Sequence, residues 1–305
     1  MYYKEQLKKY LEYCEFRKEL DWNTLKAYKI DLTQFFEFVK VDLLNRNNIE
    51  DYITNLHKKY KQKTIKRKIA SVKAFYNYLE EQEVIDNNPF KKIKVKFKET
   101  KILPKIIPRE EIEQLLNYIY KQEDKNSEKS YKYWLRDIAV IETLFATGAR
   151  VYEISNIRED SIDLNSGLIK IMGKGGKERY IQIAVPEILN ILKKYYLQNI
   201  ESIKKSGYFF VNNRGRRYSE QSIRLMIKKY TKLAGIERNI TPHMFRHSFA
   251  TYLIEEEVDI SYVQKLLGHS SIKTTQIYIH VAAKKQAKIL REKHPRNKMK
   301  IDRAA

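Results

Sequence analysis

Apolar residues recur every three or four positions in two long stretches near the beginning of the chain, residues 21–39 and 64–79. The apolar positions are Leu25, Tyr28, Leu32, Phe35, Phe36 and Val39 in the first stretch and Ile65, Ile69, Val72, Phe75, Tyr76 and Leu79 in the second. A period near 3.6 residues predicts a helix that buries one face. A shorter helix is predicted over 49–60, so residues 1–96 are expected to form a small helical bundle.

The helical pattern stops between residues 87 and 108. Pro89, Pro104 and Pro108 fall in this stretch, and proline interrupts helices because it lacks the backbone N–H donor. Residues 91–105 also contain seven lysines against a single glutamate. We therefore expect residues 97–107 to be an extended basic linker, followed by a second domain over residues 108–305.

The second domain is predicted to be mainly helical with a small β insert. Two β-branched runs, 168–172 and 179–183, flank a glycine-rich turn and predict an antiparallel hairpin. Residues 208–211 could add a third strand. Helices are predicted at 186–196, 219–234, 242–255 and 260–267, and across residue 278. The expected fold class is mainly α with a small antiparallel β-hairpin or sheet insert.

The charge of the chain is strongly positive, with 60 basic against 38 acidic residues and a formal net charge of +22. The excess is concentrated, since residues 58–73 contain eight basic residues and no acidic one. A lysine-rich solvated surface is the simpler alternative, but clustering of this kind favours a polyanionic partner such as nucleic acid. The basic residues Lys63, Arg67 and in part Lys68 are expected to lie off the apolar stripe, on a cationic helix face.

Several classes of protein are disfavoured by what the sequence lacks. No apolar run is long enough to span a membrane, and the first residues lack the apolar core of a signal peptide, so we expect a cytoplasmic protein. The single cysteine, Cys14, cannot form an internal disulfide. His243 and His247 are four residues apart, but no carboxylate cluster accompanies them, and we expect no metal and no cofactor. His247 is expected to pack or hydrogen-bond beneath Arg246.

Two arginines lie in short motifs that indicate a phosphate site. Arg150 follows Gly148, where a tight turn would aim the side chain inward, and Arg246 lies three residues after His243 on a predicted helix. Attack on a phosphodiester builds negative charge on its oxygens, and planar guanidinium groups neutralise that charge. Glu153, one turn after Arg150, is expected to orient an active-site cation.

Five side chains are candidates for the remaining chemistry of phosphodiester cleavage. Tyr278, one of 23 tyrosines, lies nine residues after His269 and offers a phenol that could form a covalent intermediate. The leaving sugar oxygen needs a proton from a general acid. Lys174 and Lys177 compete for this role because both lie in the hairpin turn, while His243 and His269 could handle protons or bind the oxyanion.

Five motifs in this order resemble the tyrosine recombinases, also called the phage integrase family, and most of all their Xer-type members. The motifs are ATGARVYEI (146–154), GKGGKER (173–179), TPHMFRHSFAT (241–251), LLGHSS (266–271) and KTTQIYIHV (273–281). The spacing of the family favours Lys174, 24 residues after Arg150, over Lys177. The implied catalytic set is Arg150, Lys174, His243, Arg246, His269 and the nucleophile Tyr278.

The resemblance also implies an architecture and a reaction. The helical core-binding, SAM-like domain and the catalytic domain would form a C-shaped clamp on double-stranded DNA. Tyr278 would form a 3′-phosphotyrosyl link, and strands would be exchanged through a Holliday junction without metal or ATP. Four protomers would act on two sites, as a homo-tetramer or with a related recombinase, and residues 282–293 would be a helix that docks into a neighbouring protomer. The expected DNA-binding residues are Lys63, Lys66, Arg67, Lys68, Lys177 and Arg179.

Alternative functions have to be weighed against site-specific recombination. A type IB topoisomerase shares the chemistry but only relaxes supercoils, and the Xer-like motifs argue against it. A non-catalytic DNA-binding regulator would have no use for the complete set of catalytic residues. Within recombination, both chromosome dimer resolution and integration or excision of a mobile element are compatible with the resemblance, and the target sequence is left open because phosphate contacts carry no base information.

Overall fold

The computed structural model describes residues 2–40, 46–91, 93, 95, 97, 104–123, 128–173, 176 and 178–268. The chain divides into two compact units, Met1–Lys101 and Ile102–Ala305. The first unit is helical in its described part, and the second combines helices with a small sheet. The expected fold class, mainly α with a small antiparallel insert, is thereby confirmed.

The first unit contains a bundle of helices around an aromatic core. Its helices are α1 Tyr2–Phe16, α2 Trp22–Val39, α3 Arg46–Lys59 and α4 Gln62–Glu81. The carboxylate of Asp21 caps α2 by accepting the backbone N–H groups of Asn23 and Thr24. Tyr10, Phe35 and Phe75 are almost fully buried, and the ring of Tyr10 meets that of Phe75 edge to face.

A buried polar cluster joins α2 to α4 inside this unit. Asp31 is fully buried, and its carboxylate accepts from the ammonium of Lys68 at 3.0 Å, from the hydroxyl of Ser71 at 2.9 Å and from the guanidinium of Arg67. Lys68 is itself only 3% exposed. The structure therefore corrects the expectation that Lys68 lies on the cationic face, because its ammonium is needed to compensate a buried carboxylate.

The described part of the second unit contains a large apolar core, which extends from Ile107 to Phe245, and a smaller cluster of Ala250, Ile254, Val263 and Leu267. Its helices are α5 Arg109–Tyr120, α6 Glu128–Thr147, α7 Val151–Ser155, α8 Pro186–Ser206, α9 Glu220–Leu233, α10 Pro242–Glu255 and α11 Ile260–Leu267, with a 3-10 turn at Glu159–Ser161. Proline stands at the first position of both α8 and α10, where its missing N–H has no intrahelical partner to lose.

The sheet has three antiparallel strands in the order β1 Ile162–Asp163, β2 Leu168–Met172 and β3 Glu178–Gln182. Ile169 lies opposite Ile181, and both point into the core. The expected third strand at 208–211 is wrong, since Tyr208 and Val211 form only isolated bridges. Phe209 and Phe210 are both buried, so this segment fills the core instead of extending the sheet.

The helix predictions for the second unit leave out α6 and α7 and end α8 too early. Helix α8 extends about ten residues beyond the predicted end, to Ser206, where Gly207 adopts φ +69° and stops it. The five-residue α7 carries too short a pattern to be predicted. Helices α9, α10 and α11 begin and end within one residue of their predicted bounds.

Candidate active site

Arg150 lies at the start of α7, after a turn that only glycine fits well. Gly148 has φ +56°, and a Cβ atom there would lie 2.5 Å from Cδ1 of Phe249. The left-handed conformation and this close approach both require a residue without a side chain. The turn leaves the side chain of Arg150 39% exposed, open to a ligand from solvent.

Glu153 holds Arg150 in place from one turn further along α7. Its Oε2 accepts the backbone N–H of Arg150 at 2.7 Å, and its Oε1 accepts Nη1 of the same arginine at 2.9 Å. Burial by itself would raise the pKa of the Glu153 carboxyl, but hydrogen bonds and charges from Arg179 and Arg150 hold that pKa below its ordinary value. Glu153 is therefore a buried carboxylate that orients Arg150.

Arg179 supplies the second cation for Glu153. Its Nη1 and Nη2 donate to Oε1 and Oε2 at 3.0 Å and 2.7 Å, and its Nε donates to the carbonyl of Leu266 at 2.9 Å. The side chain is only 10% exposed, because Arg179 shares the inward face of β3 with Ile181. The structure places Arg179 inside the unit, unlike the exposed phosphate contact that the sequence suggested.

Arg246 is buried on α10, one turn after the exposed His243. Its Nη1 donates to the carbonyl of Gly148 at 2.8 Å, and its Nη2 donates to the carbonyl of Leu267 at 2.7 Å. The first bond brings α10 against the turn that carries Arg150. The second reaches the last residue of α11, where unpaired helix carbonyls favour a cation.

Arg179 and Arg246 both bind the C-terminal end of α11. Arg179 binds the carbonyl of Leu266, and Arg246 binds that of Leu267. Gly268 follows with φ +63°, and a Cβ atom there would lie 3.0 Å from Cδ of Arg179. Hydrogen bonds therefore join the turn before α7, the strand β3 and the helices α10 and α11 in one closed circuit, whose last residue along the chain, Leu267, lies two residues before position 269.

His247 follows Arg246 on α10 and is partly buried. Burial lowers the pKa of its imidazole, and the charges of His243 and Arg246 lower that pKa further. His247 is therefore held neutral at a pH where an exposed histidine begins to charge. This position suits the packing role that the sequence suggested.

Four of the predicted site residues lie outside the described part of the chain: Lys174, Lys177, His269 and Tyr278. The structure does describe the strands on either side of the lysine turn and the end of the helix before His269. Residue 269 follows directly on Gly268 in the sequence. The two residues before Gly268 are held by the arginines, since Leu266 accepts from Arg179 and Leu267 accepts from Arg246.

The remaining predicted DNA contacts lie on α4 in the first unit. Lys63 and Arg67 are exposed, although Arg67 also pairs with Asp31. The ammonium of Lys66 lies 5.1 Å from the centre of the Phe97 ring, and that of Lys68 lies 5.1 Å from the centre of the Tyr60 ring. Of the four basic residues, only Lys68 is removed from the surface.

Within the described residues, no three histidine, cysteine or acidic side chains come together in a way that could hold a metal ion. The same part of the chain contains no helix with both the length and the apolar character needed to cross a bilayer.

Comparisons with known proteins agree over nearly the full chain. Residues 105–285 match the phage integrase family, and residues 7–83 match the phage integrase N-terminal SAM-like domain. A tyrosine recombinase of Agathobacter rectalis is 48% identical over 291 residues, covering 94% of this chain and 95% of the relative. Tyrosine recombinase XerC of Leptospira interrogans is 34% identical over 298 residues, covering 95% and 93%.

Solved structures show the same fold. The XerH site-specific recombinase bound to palindromic difH in a post-cleavage complex has a TM-score of 0.75 at 25% identity, covering 95% of this chain and 85% of XerH. A lambda integrase tetramer bound to a Holliday junction has a TM-score of 0.66 at 15% identity, covering 88% and 77%, and this likeness concerns the fold alone.

The fold and the arginine-based site define an enzyme of phosphodiester chemistry. The chain belongs to the phage integrase family. It is a Xer-type tyrosine recombinase, a DNA-binding enzyme of site-specific recombination, and the alternative of a DNA-relaxing topoisomerase is not supported.

Proposed function

We propose that Arg150, Lys174, His243, Arg246, His269 and Tyr278 form the active site of this recombinase. The observation that carries the proposal is the closed hydrogen-bond circuit, which connects Arg150 to Arg246. The circuit includes Leu267, two residues before position 269. Two pre-positioned guanidinium groups stabilise the charge that develops on a phosphate under attack.

In the proposed reaction the phenolic oxygen of Tyr278 attacks the scissile phosphorus. The new bond joins this oxygen to phosphorus, the bond from phosphorus to the 5′ oxygen breaks, and the phenolic proton passes to a nearby base. Lys174 donates a proton to the leaving 5′ oxygen. The 3′-phosphotyrosyl product conserves the energy of the phosphodiester, so that a 5′ hydroxyl of a partner duplex can reseal it without ATP.

The proposed substrate is a double-stranded recombination site, and the proposed assembly is four protomers on two sites. Lambda integrase has been captured as a tetramer on a Holliday junction. The exposed cations Lys63 and Arg67 and the charge of +22 support binding to phosphates. Homo-tetramer and hetero-tetramer with a related recombinase remain two versions of this proposal, and gels of one-site and two-site DNA with the pure protein decide between them.

Single-turnover cleavage of a nicked suicide substrate tests the proposed site. Arg150→Ala and Arg246→Ala are each expected to slow cleavage on the order of hundreds-fold, the effect of losing one charge-stabilising donor. Arg246→Lys is expected to rescue poorly, because an ammonium does not reproduce the planar fork with which the guanidinium donates to the carbonyls of Gly148 and Leu267. Cleavage of Arg246→Lys at the wild-type rate would contradict the assigned geometry.

The assignment of the general acid has its own test. When the leaving 5′ oxygen of the substrate is replaced by sulfur, the leaving group is a thiolate. A thiolate departs without protonation, so cleavage of this substrate needs no general acid. Cleavage by Lys174→Ala is expected to be restored on this substrate, while Lys177→Ala shows a modest defect on both substrates. Restoration of Lys177→Ala in place of Lys174→Ala would shift the assignment by three residues.

A further inference from the structure

Arg179 occupies a position that the chemistry of the proposed site does not use. It is an arginine on the inward face of a β-strand, and its Nε, Nη1 and Nη2 all donate within the protein. Of its acceptors, Glu153 binds Arg150, and Leu266 lies three residues before position 269. One rigid guanidinium thus touches both sides of the site.

The geometry of these contacts is specific to arginine. The two Nη groups form parallel bonds to the two oxygens of Glu153 while Nε points away to a backbone carbonyl. Gly268 leaves room for this side chain, since any Cβ atom at that position would lie 3.0 Å from Cδ and 3.1 Å from Nη1 of Arg179. The end of α11 is therefore shaped around Arg179.

We infer that Arg179 is a positioning residue for strand cleavage, acting through Glu153 on Arg150 and through Leu266 on the segment that leads to His269. The inference rests on the proposed active site and replaces a phosphate contact for Arg179. Removal of the guanidinium leaves the buried Glu153 with one cation fewer and removes one of the two arginine contacts at the end of α11, where Arg246 still binds Leu267. Small displacements of charge-stabilising groups are sufficient to slow a reaction on the order of 100-fold.

The test uses Arg179→Met in the full chain, which keeps the length of the side chain and removes all three hydrogen bonds. Arg238→Met is the matched control, because Arg238 also pairs with a glutamate, Glu111 at 2.8 Å, in the same unit and outside the circuit. Cleavage at saturating DNA is expected to fall on the order of 100-fold for Arg179→Met and to stay at the wild-type rate for Arg238→Met. DNA affinity and its salt dependence are expected to match the wild type in both variants.

A second substrate separates positioning from general damage to the fold. A methylphosphonate at the scissile position carries no charge, so it needs less neutralisation by Arg150. The defects of Arg179→Met and of Arg150→Ala are both expected to shrink on this substrate. The inference would be overturned if Arg179→Met slowed cleavage of both substrates equally and only as much as its loss in the free energy of unfolding explains. It would also be overturned if Arg179→Met cleaved at the normal rate at saturating DNA but showed a weaker salt dependence of DNA binding.

Two further comparisons complete the design. Arg179→Lys retains the charge beside Glu153 and is expected to show a smaller defect of the same kind, so the inference can be tested even if Arg179→Met fails to fold. Normal cleavage by Arg179→Lys in that case would overturn it. If Arg150→Ala itself cleaves normally, the proposed site is wrong, whereas a defective Arg150→Ala beside a normal Arg179→Met refutes only the role of Arg179.

Discussion

The replacement Gly148→Ala tests how tightly the turn before Arg150 is packed. The new Cβ atom would lie 2.5 Å from Cδ1 of Phe249 and 3.0 Å from Cδ2 of Leu267, and the backbone has φ +56°. A side chain in this left-handed conformation costs about 1 kcal/mol. Overpacking of this kind adds about 1–3 kcal/mol. The expected loss in the free energy of unfolding of the second unit is therefore about 2–4 kcal/mol.

Gly235→Ala is the matched control for this prediction. Gly235 has φ +73°, but the nearest atom to an added Cβ is Nε2 of Gln114 at 3.9 Å, an ordinary contact. This variant carries the backbone cost without the overlap, so its expected loss is about 1 kcal/mol. The difference between the two variants measures the close packing at Gly148.

Tryptophan fluorescence during urea unfolding gives the required measurement. The chain has two tryptophans, and Trp22 in the first unit is 73% exposed. In a Trp22→Phe background the signal comes from Trp134 alone, which is 2% exposed and donates its indole N–H to the carbonyl of Ile119 at 2.8 Å. Equal losses for Gly148→Ala and Gly235→Ala would refute the packing argument.

Charged and titratable residues elsewhere in the two units lead to three further predictions. The folded state holds His247 neutral, so the free energy of unfolding is expected to fall as pH drops through 6.5, the ordinary pKa of histidine. Urea unfolding at pH 7 and pH 5.5 measures this fall, which is expected to be smaller in His247→Gln than in the wild type. Asp31→Ala leaves the ammonium of Lys68 buried without its carboxylate and is expected to cost about 3–5 kcal/mol, measured by hydrogen exchange of α2 and α4 in the full chain. Lys63→Ala and Lys66→Ala are each expected to reduce the slope of the logarithm of the DNA association constant against the logarithm of the salt concentration by about 0.9. If titrations at several salt concentrations give an unchanged slope, the substituted lysine does not contact DNA phosphate.

Local periodicity was sufficient to predict most of the helices and the hairpin. The apolar stripe of α4 predicted its burial, and the two β-branched runs predicted the hairpin of β2 and β3, in which Ile169 lies opposite Ile181. The alternation of side chains along β3 puts Arg179 on the inward face, a signal that could have identified its buried position. Lys68 likewise lies between Ile65 and Val72 on the buried stripe.

The contacts that assemble the site join residues far apart in sequence. Arg246 binds the carbonyl of Gly148 across 98 residues, and Arg179 binds that of Leu266 across 87. Backbone carbonyls are present at every residue, so no residue type marks which ones an arginine will bind. Glu153 was predictable because one of its two arginine partners, Arg150, lies three residues away, within one helical turn.

The central claim is that Tyr278 is the nucleophile of a site built on Arg150 and Arg246. Its most direct test is covalent capture on a nicked suicide substrate, followed by identification of the modified peptide. The wild-type protein is expected to yield one protein–DNA adduct, linked through Tyr278, and Tyr278→Phe is expected to yield none while binding the DNA as before. An adduct at the wild-type level in Tyr278→Phe, or one mapped to another tyrosine, would contradict the account.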